Sequence, residues 1–214
     1  MKVEVIRVEG LDIACQSVRL SFNSESAKQC KERQIGTIQG SPKGFDLWED
    51  DVALMKKLIV AGDSHSKCMR MASVWLDITM PRYWYSEFDT YKVGTTAMSE
   101  SSVHKMISRI KNDKLSMSDF EVEKDSFAWH NVENTLGDMI AGVEDYSISV
   151  ESIKQMLPES FLQRRIVCTN YQTLRHIYFD RRNHRLPIWH KFLDELLVQL
   201  PFPEFITIEK EVTK

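Results

Sequence analysis

The most informative part of the sequence is the run Thr169-Asn170-Tyr171-Gln172-Thr173-Leu174-Arg175-His176-Ile177-Tyr178-Phe179-Asp180-Arg181. Asn170 stands at the position of an N-cap, so the run predicts a helix that begins just after it. Asn170 and Arg181 are 11 residues apart, about three helical turns, and share one face with Leu174 and Ile177. An arginine at the end of an apolar stripe needs an anionic partner or a route to water. Spacing alone favours a snorkelling arginine beside a capping asparagine over a ligand site.

On either side of this run the pattern indicates more helix than strand. Alternating apolar residues predict a strand over 71–78 with one solvent-exposed face, and the pattern of the first residues also predicts a strand. Caps, breakers and helical spacing predict helices over about 15–22, from Asp50 or Asp51 to Gly62, over 82–92 and 101–111, around 132–143, after Asn170, and from Pro187 to before Pro201. The polar stretch 23–46 reads as an exposed loop. We expect one helix-rich α+β domain over residues 1–214, with a mixed sheet and several helices.

The composition is that of an ordinary globular protein. The 214 residues are 43% hydrophobic and 28% charged, and the net charge of -3 excludes a strongly basic nucleic-acid binder. No apolar run reaches the roughly 18 residues of a membrane helix, and the first residues lack a signal-peptide pattern. The four cysteines form no C-x-x-C pair, which indicates reduced core thiols in the cytosol. We therefore expect a cytoplasmic protein with neither nucleic acid nor a membrane among its partners.

Metal chemistry is not indicated by the sequence. The six histidines form no H-E-x-x-H element and no adjacent His-Asp pair. Glu121 and Glu123 are two residues apart and would not share a helix face. These observations weigh against a metal-dependent nucleotide hydrolase, and we expect no metal site.

The run from Asn170 to Arg181 resembles the C-terminal motif of flavin-dependent thymidylate synthases. Asn170, Leu174, His176 and Arg181 match that motif without a gap. In the family, the asparagine and the His/Asn position help to hold the flavin, and the arginine binds the pyrimidine ring of dUMP. The resemblance therefore implies FAD at Asn170 and His176, and a nucleotide at Arg181.

Three shorter matches lie upstream in the same order. Ser64-His65-Ser66-Lys67 is similar to a Gly-His-x-Thr element that touches the flavin, and Arg19-Leu20-Ser21-Phe22 is similar to an Arg-Val-Ser-Phe element whose serine contacts it. Lys154 precedes Leu157-Pro158 as a nucleotide-binding arginine does in the family. The resemblance thus adds Ser21, His65 and Lys67 to the cofactor residues and Lys154 to the substrate residues.

The family's hallmark Arg-His-Arg element is replaced in this chain. Thr90-Tyr91-Lys92 stands there, followed by Val93-Gly94-Thr95 and then Ser101-Ser102-Val103-His104. Lys92 keeps one positive charge, Tyr91 keeps a flat ring that suits a flavin, and Ser101 matches the motif serine. Two arginines that usually orient phosphates are gone, and neither threonine nor valine replaces a guanidinium. Because these two arginines are missing, we expect the contacts of this chain to phosphate groups to differ from those in the family.

Glu87 lies where the family tends to have a glutamine near the nucleotide. A carboxylate there can accept a hydrogen bond from a ring N–H or a sugar hydroxyl. The alternative is a salt bridge with Arg82 or Lys92, both within about one helical turn. The residues alone leave both interpretations open.

The resemblance implies an enzyme that transfers a one-carbon unit from methylenetetrahydrofolate to dUMP with reduced FAD. Arg181 and Ser101 would be catalytic, FAD would bind at Ser21, His65, Lys67, Tyr91, Lys92, Asn170 and His176, and the nucleotide would bind at Glu87, Lys154 and Arg181. The family also implies NADPH as reductant and a homotetramer. Two alternatives remain: the same fold acting on another pyrimidine nucleotide, and a catalytically inactive binding or assembly protein.

Overall fold

The computed structural model describes residues 1–19, 47, 49–112, 115–145 and 148–209, without the side chains of 102–105. The predicted loop over 23–46 and the predicted flavin contact Ser21 lie outside the described residues.

Four strands form one sheet. They are β1 (Lys2–Glu9), β2 (Ser73–Pro81), β3 (Thr96–Ser99) and β4 (Leu162–Asn170), in the order β1-β2-β4-β3. The strands are antiparallel, whereas we expected a mixed sheet. The register of β2 and β4 shows this, because the Tyr171 amide donates to the Ala72 carbonyl and the Arg82 amide to the Phe161 carbonyl, each at 3.1 Å.

Helices make up most of the remaining described structure. They are α1 (Leu11–Arg19), α2 (Glu49–Ala61), α3 (Arg82–Phe88), α4 (Ser102–Lys111), α5 (Phe127–Asp145), α6 (Val150–Met156), α7 (Tyr171–Arg181), α8 (Pro187–Leu197) and α9 (Glu204–Thr207), with short 3₁₀ turns at Lys67–Arg70 and Met117–Asp119. The predicted helix-rich α+β class is therefore confirmed.

The chain divides into two compact units. The first contains Met1–Lys2, Ile78–Thr90 and Met98–Ile166, and the second contains Val3–Asp77, Tyr91–Ala97 and Val167–Lys214. That residues 1–214 act as a single domain stays a prediction.

The first unit has a core built from α4, α5 and α6. Met106, Met139 and Ile153 are buried there together with Leu136 and Phe161. Close by in the chain, Trp84 stacks on Phe88 with 4.7 Å between ring centroids. These apolar residues recur at helical spacing, and their burial explains why this part of the chain folds as helices.

The second unit holds α7 in its core. Leu174 and Ile177 are fully buried, as are Trp189 and Phe192 of α8. Helix α7 packs against α8 and α9. The position of α7 in the unit is thus fixed by its apolar residues, and its polar residues are placed accordingly.

Local departures from the predicted elements have identifiable causes. Helix α1 begins at Leu11 because Gly10, at φ +76°, makes the turn before it, and a Cβ there would lie 2.7 Å from the Met71 carbonyl oxygen. Helix α3 ends at Phe88, whereas we expected it to reach Lys92. Strand β4 was not predicted, because Arg164 and Arg165 interrupt its apolar pattern. Arg165 lies 3.7 Å from the centre of the Tyr85 ring, a contact that periodicity does not reveal.

Candidate functional site

The helix at the centre of the candidate site starts as the sequence predicts. The Asn170 side chain accepts a hydrogen bond of 2.9 Å from the Thr173 amide, which is the N-cap interaction. The same side chain donates to the Gly94 carbonyl at 3.4 Å. Asn170 therefore has a structural role in starting α7, whatever else it binds.

Residues 91–95, which we call the 91–95 segment, lie along one side of α7. The Thr173 hydroxyl donates to the Val93 carbonyl at 3.1 Å, and the Thr95 and Thr169 hydroxyls are 3.1 Å apart. Gly94 has a φ of +80°, and a Cβ there would lie 2.6 Å from Asn170 Nδ2 and 2.9 Å from Thr173 Oγ1. Only glycine fits this approach without a shift of the segment.

The other end of the 91–95 segment reaches Arg181. Arg181 Nε donates to the Tyr91 hydroxyl at 3.0 Å, and that hydroxyl donates to Asp180 Oδ2 at 3.2 Å. The Arg181 guanidinium also lies 4.8 Å from the centre of the buried Trp189 ring. Burial raises the pKa of the Tyr91 hydroxyl, which therefore stays protonated and able to donate to Asp180. Arg181 is held by specific contacts and does not simply snorkel into water.

A cavity of about 530 Å³ opens beside α7 in the second unit. It is lined by Asp63, Tyr91, Arg175, His176, Phe179, Asp180, Arg182 and Glu209. Its volume is in the range of small-molecule and cofactor sites, roughly 300–1,000 Å³. At about 100° per residue, Arg175, His176 and Phe179 lie on the opposite side of α7 from Leu174 and Ile177. The cavity is therefore not on the face that Asn170 and Arg181 share.

The His176 imidazole is oriented by two neighbours. Its Nε2 atom is 2.9 Å from Gln172 Nε2 and 3.4 Å from Asp63 Oδ2. The side chain of His176 is half exposed, so the ring remains accessible from the cavity. This arrangement lets His176 present its ring to a ligand in a defined orientation.

Arg175 is the most unusual residue of the cavity wall. It is 2% exposed, and its Nη1 donates to the Ile206 carbonyl at 2.9 Å. Its Nη2 has no hydrogen-bond partner within the part of the chain that the structure describes. Burial lowers the pKa of the guanidinium, and the nearby Asp63 carboxylate opposes that shift. An unsatisfied buried donor generally costs about 1–3 kcal/mol, more when it is charged.

The other predicted site residues are distributed over both units. His65, Lys67 and Lys92 are exposed in the second unit, where Tyr91, Asn170, His176 and Arg181 also lie. Glu87, Ser101 and Lys154 belong to the first unit. In that unit Arg82 forms an ion pair of 3.1 Å with Glu159. The structure thus brings Tyr91 and His176 to one cavity and joins Arg181 to it through Tyr91.

Six cavity residues were not among the predicted site residues: Asp63, Arg175, Phe179, Asp180, Arg182 and Glu209. Arg175 and Phe179 are spaced i, i+4 on α7, and their side chains meet at 4.6 Å. That spacing was a usable signal, since it places an arginine and an aromatic ring next to His176. Asp63 carries no such signal, because it lies in a turn distant in the sequence.

Two further properties concern metals and membranes. No group of three or more His, Cys, Asp and Glu side chains suited to a metal ion occurs among the described residues. Within the same ranges, none of the helices combines the length and the apolar character needed to cross a bilayer.

Comparison by sequence finds no match, whereas comparison by structure finds proteins with the same fold. No model of a known protein family matches the sequence, and no curated protein matches it either. A flavin-dependent thymidylate synthase ThyX from Helicobacter pylori, solved with FAD and dUMP, superposes with a TM-score of 0.74 at 16% identity over 100% of both chains. A second structure of ThyX from Helicobacter pylori with FAD and dUMP gives 0.74 at 14% identity over 96% of each chain.

A third solved structure with a similar fold is that of a nucleotide methylase. It is the UMP/dUMP methylase PolB from Streptomyces cacaoi, bound with 5-Br dUMP. It has a TM-score of 0.64 at 13% identity, over 100% of this chain and 97% of that one. The chain therefore has the fold of the flavin-dependent thymidylate synthases, as the resemblance of its short motifs implied.

Proposed function

We propose that this protein is a flavin-dependent methyltransferase of the thymidylate synthase type, which methylates dUMP with methylenetetrahydrofolate and reduced FAD. The observation that carries the proposal is the position of Tyr91. It lines the cavity together with His176, and its hydroxyl binds Arg181. Residues that the resemblance assigns to the flavin and to the nucleotide therefore meet at one place in the second unit.

The cavity residues suit a flavin. Phe179 and Tyr91 supply aromatic surface, and His176 supplies an oriented ring nitrogen. We propose that FAD is held by Tyr91 and His176 in the cavity. The assignments of Ser21, His65, Lys67, Lys92 and Asn170 to the flavin rest on the resemblance alone. The reduced flavin, when bound, supplies hydride and mediates the one-carbon transfer.

Arg181 has the main electrostatic role in the proposed reaction. Its guanidinium would bind the pyrimidine ring and stabilise the negative charge that builds up as C5 becomes nucleophilic. Tyr91 and Trp189 hold the guanidinium in place before the substrate arrives, so little reorganisation is needed. The assignments of Ser101 as catalytic and of Glu87 and Lys154 as nucleotide ligands rest on the resemblance alone.

The family resemblance suggests three further properties. We propose that NADPH reduces the flavin, that four copies of the chain assemble into a homotetramer, and that the protein works in the cytoplasm. Light scattering on the purified protein tests the assembly. A mass of four chains supports it, and the mass of one chain contradicts it.

A second candidate function is methylation of another pyrimidine nucleotide by the same chemistry. Thr90-Tyr91-Lys92 replaces the family's Arg-His-Arg element, so the phosphate contacts differ. The similar fold of a UMP/dUMP methylase is consistent with this alternative. A scaffold that has lost catalysis is the remaining possibility, and the same experiment addresses all three.

The deciding experiment is a visible spectrum of the purified protein, followed by titration with FAD, dUMP and UMP. A flavin spectrum that changes on adding dUMP supports the leading proposal. A change with UMP alone supports the second candidate. A flavin spectrum that changes with neither nucleotide contradicts the proposal that dUMP or UMP is the substrate. No FAD uptake at any concentration would favour the inactive scaffold.

A further inference from the structure

We infer that Asp63 and Gln172 are positioning residues for His176. They keep the proton of the neutral ring on Nε2, so that Nδ1 is left as a hydrogen-bond acceptor for an N–H or O–H group of the ligand. The inference rests on the proposed function, since it takes His176 as a residue that binds a ligand. It goes further by giving the ring a defined hydrogen-bonding role and by assigning a function to two residues that were not among the predicted site residues.

The carboxylate of Asp63 determines which ring nitrogen carries the proton. Asp63 Oδ2 lies 3.4 Å from His176 Nε2. An ionised carboxylate only accepts hydrogen bonds, so this contact is attractive only when Nε2 is protonated. In a neutral imidazole one nitrogen is a donor and the other an acceptor, and the partner of one nitrogen sets the role of the other. A proton on Nε2 therefore makes Nδ1 the acceptor.

Gln172 supports the same tautomer from inside the fold. It is 3% exposed, and its side-chain amide lies 2.9 Å from His176 Nε2. A half-turn of a glutamine amide exchanges its nitrogen and its oxygen, and the neighbouring groups decide which end faces which partner. On its other side the amide lies 3.5 Å from the Ser66 hydroxyl, whose single proton is donated to the Gly62 carbonyl at 3.2 Å. The amide nitrogen therefore suits the Ser66 oxygen, and the amide oxygen accepts from His176 Nε2.

Nδ1 is the ring nitrogen that remains for a ligand. The His176 side chain lines the cavity and is half exposed, so a bound molecule can reach the ring. Within the described ranges the hydrogen bonds of the ring all involve Nε2. A ligand group with an N–H or O–H bond is therefore recognised by His176, whereas a group that only accepts is not.

The first test observes the tautomer directly in the ligand-free full chain. Long-range ¹H–¹⁵N spectra of protein labelled with ¹⁵N-histidine distinguish protonated from unprotonated ring nitrogens, and His176→Asn identifies the signals. At a pH where the ring is neutral, we expect a single tautomer with the proton on Nε2. The ring of His190, which is exposed, serves as the comparison. A proton on Nδ1, or a mixture of tautomers like that of His190, overturns the inference.

Variants test the two positioning residues separately. Asp63→Asn introduces an amide that can also donate to an unprotonated Nε2, so we expect a mixture of tautomers. Gln172→Met removes the second acceptor and should increase the share of the minor tautomer, whereas Gln172→Glu only accepts and should keep the proton on Nε2. Glu209→Gln, which changes another carboxylate of the cavity wall, should leave the tautomer unchanged. A wild-type tautomer in Asp63→Asn and in Gln172→Met overturns the role of these residues.

The role of His176 towards the ligand is measured by titration with FAD. We expect the Nδ1 signal of the wild type to shift on binding while Nε2 keeps its proton. Asp63→Asn should weaken FAD binding by about tenfold, roughly the value of one hydrogen bond. FAD that binds without a shift of Nδ1 overturns the acceptor role and leaves the proposed function intact. Failure to bind FAD contradicts the proposed function and not the positioning of His176, which is measured without ligand.

Discussion

At the scale of single residues, the surroundings of Arg181 determine what it can do. Its Nε is bound to the Tyr91 hydroxyl at 3.0 Å, and its guanidinium lies over the Trp189 ring. A guanidinium fixed in this way is preorganised, and in an active site it would stabilise developing negative charge without first moving.

Replacing Arg181 by alanine tests this role. We expect kcat for dUMP methylation to fall by about 100- to 1,000-fold, with the fold retained, because the apolar residues of α7 remain. Steady-state kinetics and a thermal melt measure the two effects. Arg185→Ala, an exposed arginine just beyond the helix, is the matched control and should remain within about twofold of the wild type. Equal losses in both variants would rule out a specific role for Arg181.

Replacing Tyr91 by phenylalanine removes the hydroxyl that joins Arg181 to Asp180 and keeps the ring. We expect kcat to fall by about tenfold, which corresponds to about 1.4 kcal/mol of lost positioning. The ¹H–¹⁵N signal of the Arg181 Nε–H group should broaden or disappear, since its acceptor is lost. Thr95→Val, at the other end of the 91–95 segment, should leave that signal in place. An unchanged Arg181 signal in Tyr91→Phe would contradict the contact.

At the scale of elements, α7 and the 91–95 segment depend on each other. The segment is bonded to the helix through Thr95 and Val93 near its start and through Tyr91 near its end. Asn170 contributes to both elements, because it caps α7 and donates to the Gly94 carbonyl. Variants of Asn170 and Gly94 can therefore distinguish an effect on the stability of the fold from an effect on cofactor binding.

Variants of Asn170 distinguish capping from flavin binding. Asn170→Ala should lower the free energy of unfolding by about 1 kcal/mol, the usual value of an N-cap. Asn170→Ser keeps a capping oxygen and should keep most of that stability. If Asn170 also holds FAD, the serine variant binds FAD more weakly although it is stable. Wild-type FAD affinity in Asn170→Ser would limit Asn170 to the cap.

Gly94→Ala tests the close approach of the 91–95 segment to α7. The new Cβ meets both a positive φ and atoms of Asn170 and Thr173 closer than 3 Å. We expect a loss of about 2–3 kcal/mol in a urea titration. Gly62→Ala is the control, because Gly62 has a φ of +111° but nothing within 4 Å of the new Cβ. Gly62→Ala should lower the free energy of unfolding only by the cost of the backbone conformation, about 1–2 kcal/mol. An equal loss in the two variants would show that the 91–95 segment shifts to make room for the new Cβ at little cost.

At the scale of the whole molecule, a buried thiol and a buried tyrosine hydroxyl make the free energy of unfolding depend on pH. Burial raises the pKa of the Cys15 thiol above its ordinary value of 9.0, with a smaller contribution from Asp51, and burial also raises the pKa of the Tyr171 hydroxyl. The folded chain keeps these protons at a pH where the unfolded chain has lost them. The contribution of these two groups to stability is therefore complete below about pH 9. It is lost as the pH rises towards the pKa values that the groups have in the folded chain.

We expect the free energy of unfolding to fall above about pH 9, by up to about 1.4 kcal/mol per pH unit for each group. Urea titrations between pH 7 and pH 10.5 measure it. Cys15→Ala should be less stable at pH 7, because it leaves a small cavity, and should show a shallower fall. A wild-type stability that is flat or rising across this range would contradict the prediction.

Local patterns in the sequence predicted much of the fold. The end of α2 before Gly62, the buried face of β2 at Val74 and Leu76, and the start of α7 after Asn170 follow from rules that involve neighbouring residues. Strand β4 was missed because Arg164 and Arg165 break its apolar pattern, and their place in the sheet depends on contacts with distant residues. Among the residues that line the cavity, His176 and Tyr91 were named as flavin contacts by resemblance, and that role stays a prediction, whereas Arg175 was not named.

By itself, the sequence determined that a capped helix carries Asn170 at its start and Arg181 at its end, because caps and helical spacing act over a few residues. Only the tertiary structure decided that the 91–95 segment lies along this helix and that the cavity opens on its other side. That cavity gathers Asp63, Tyr91 and Glu209 around α7, residues far apart in the chain. Such a gathering depends on which apolar faces pack together, and no local rule contains that information.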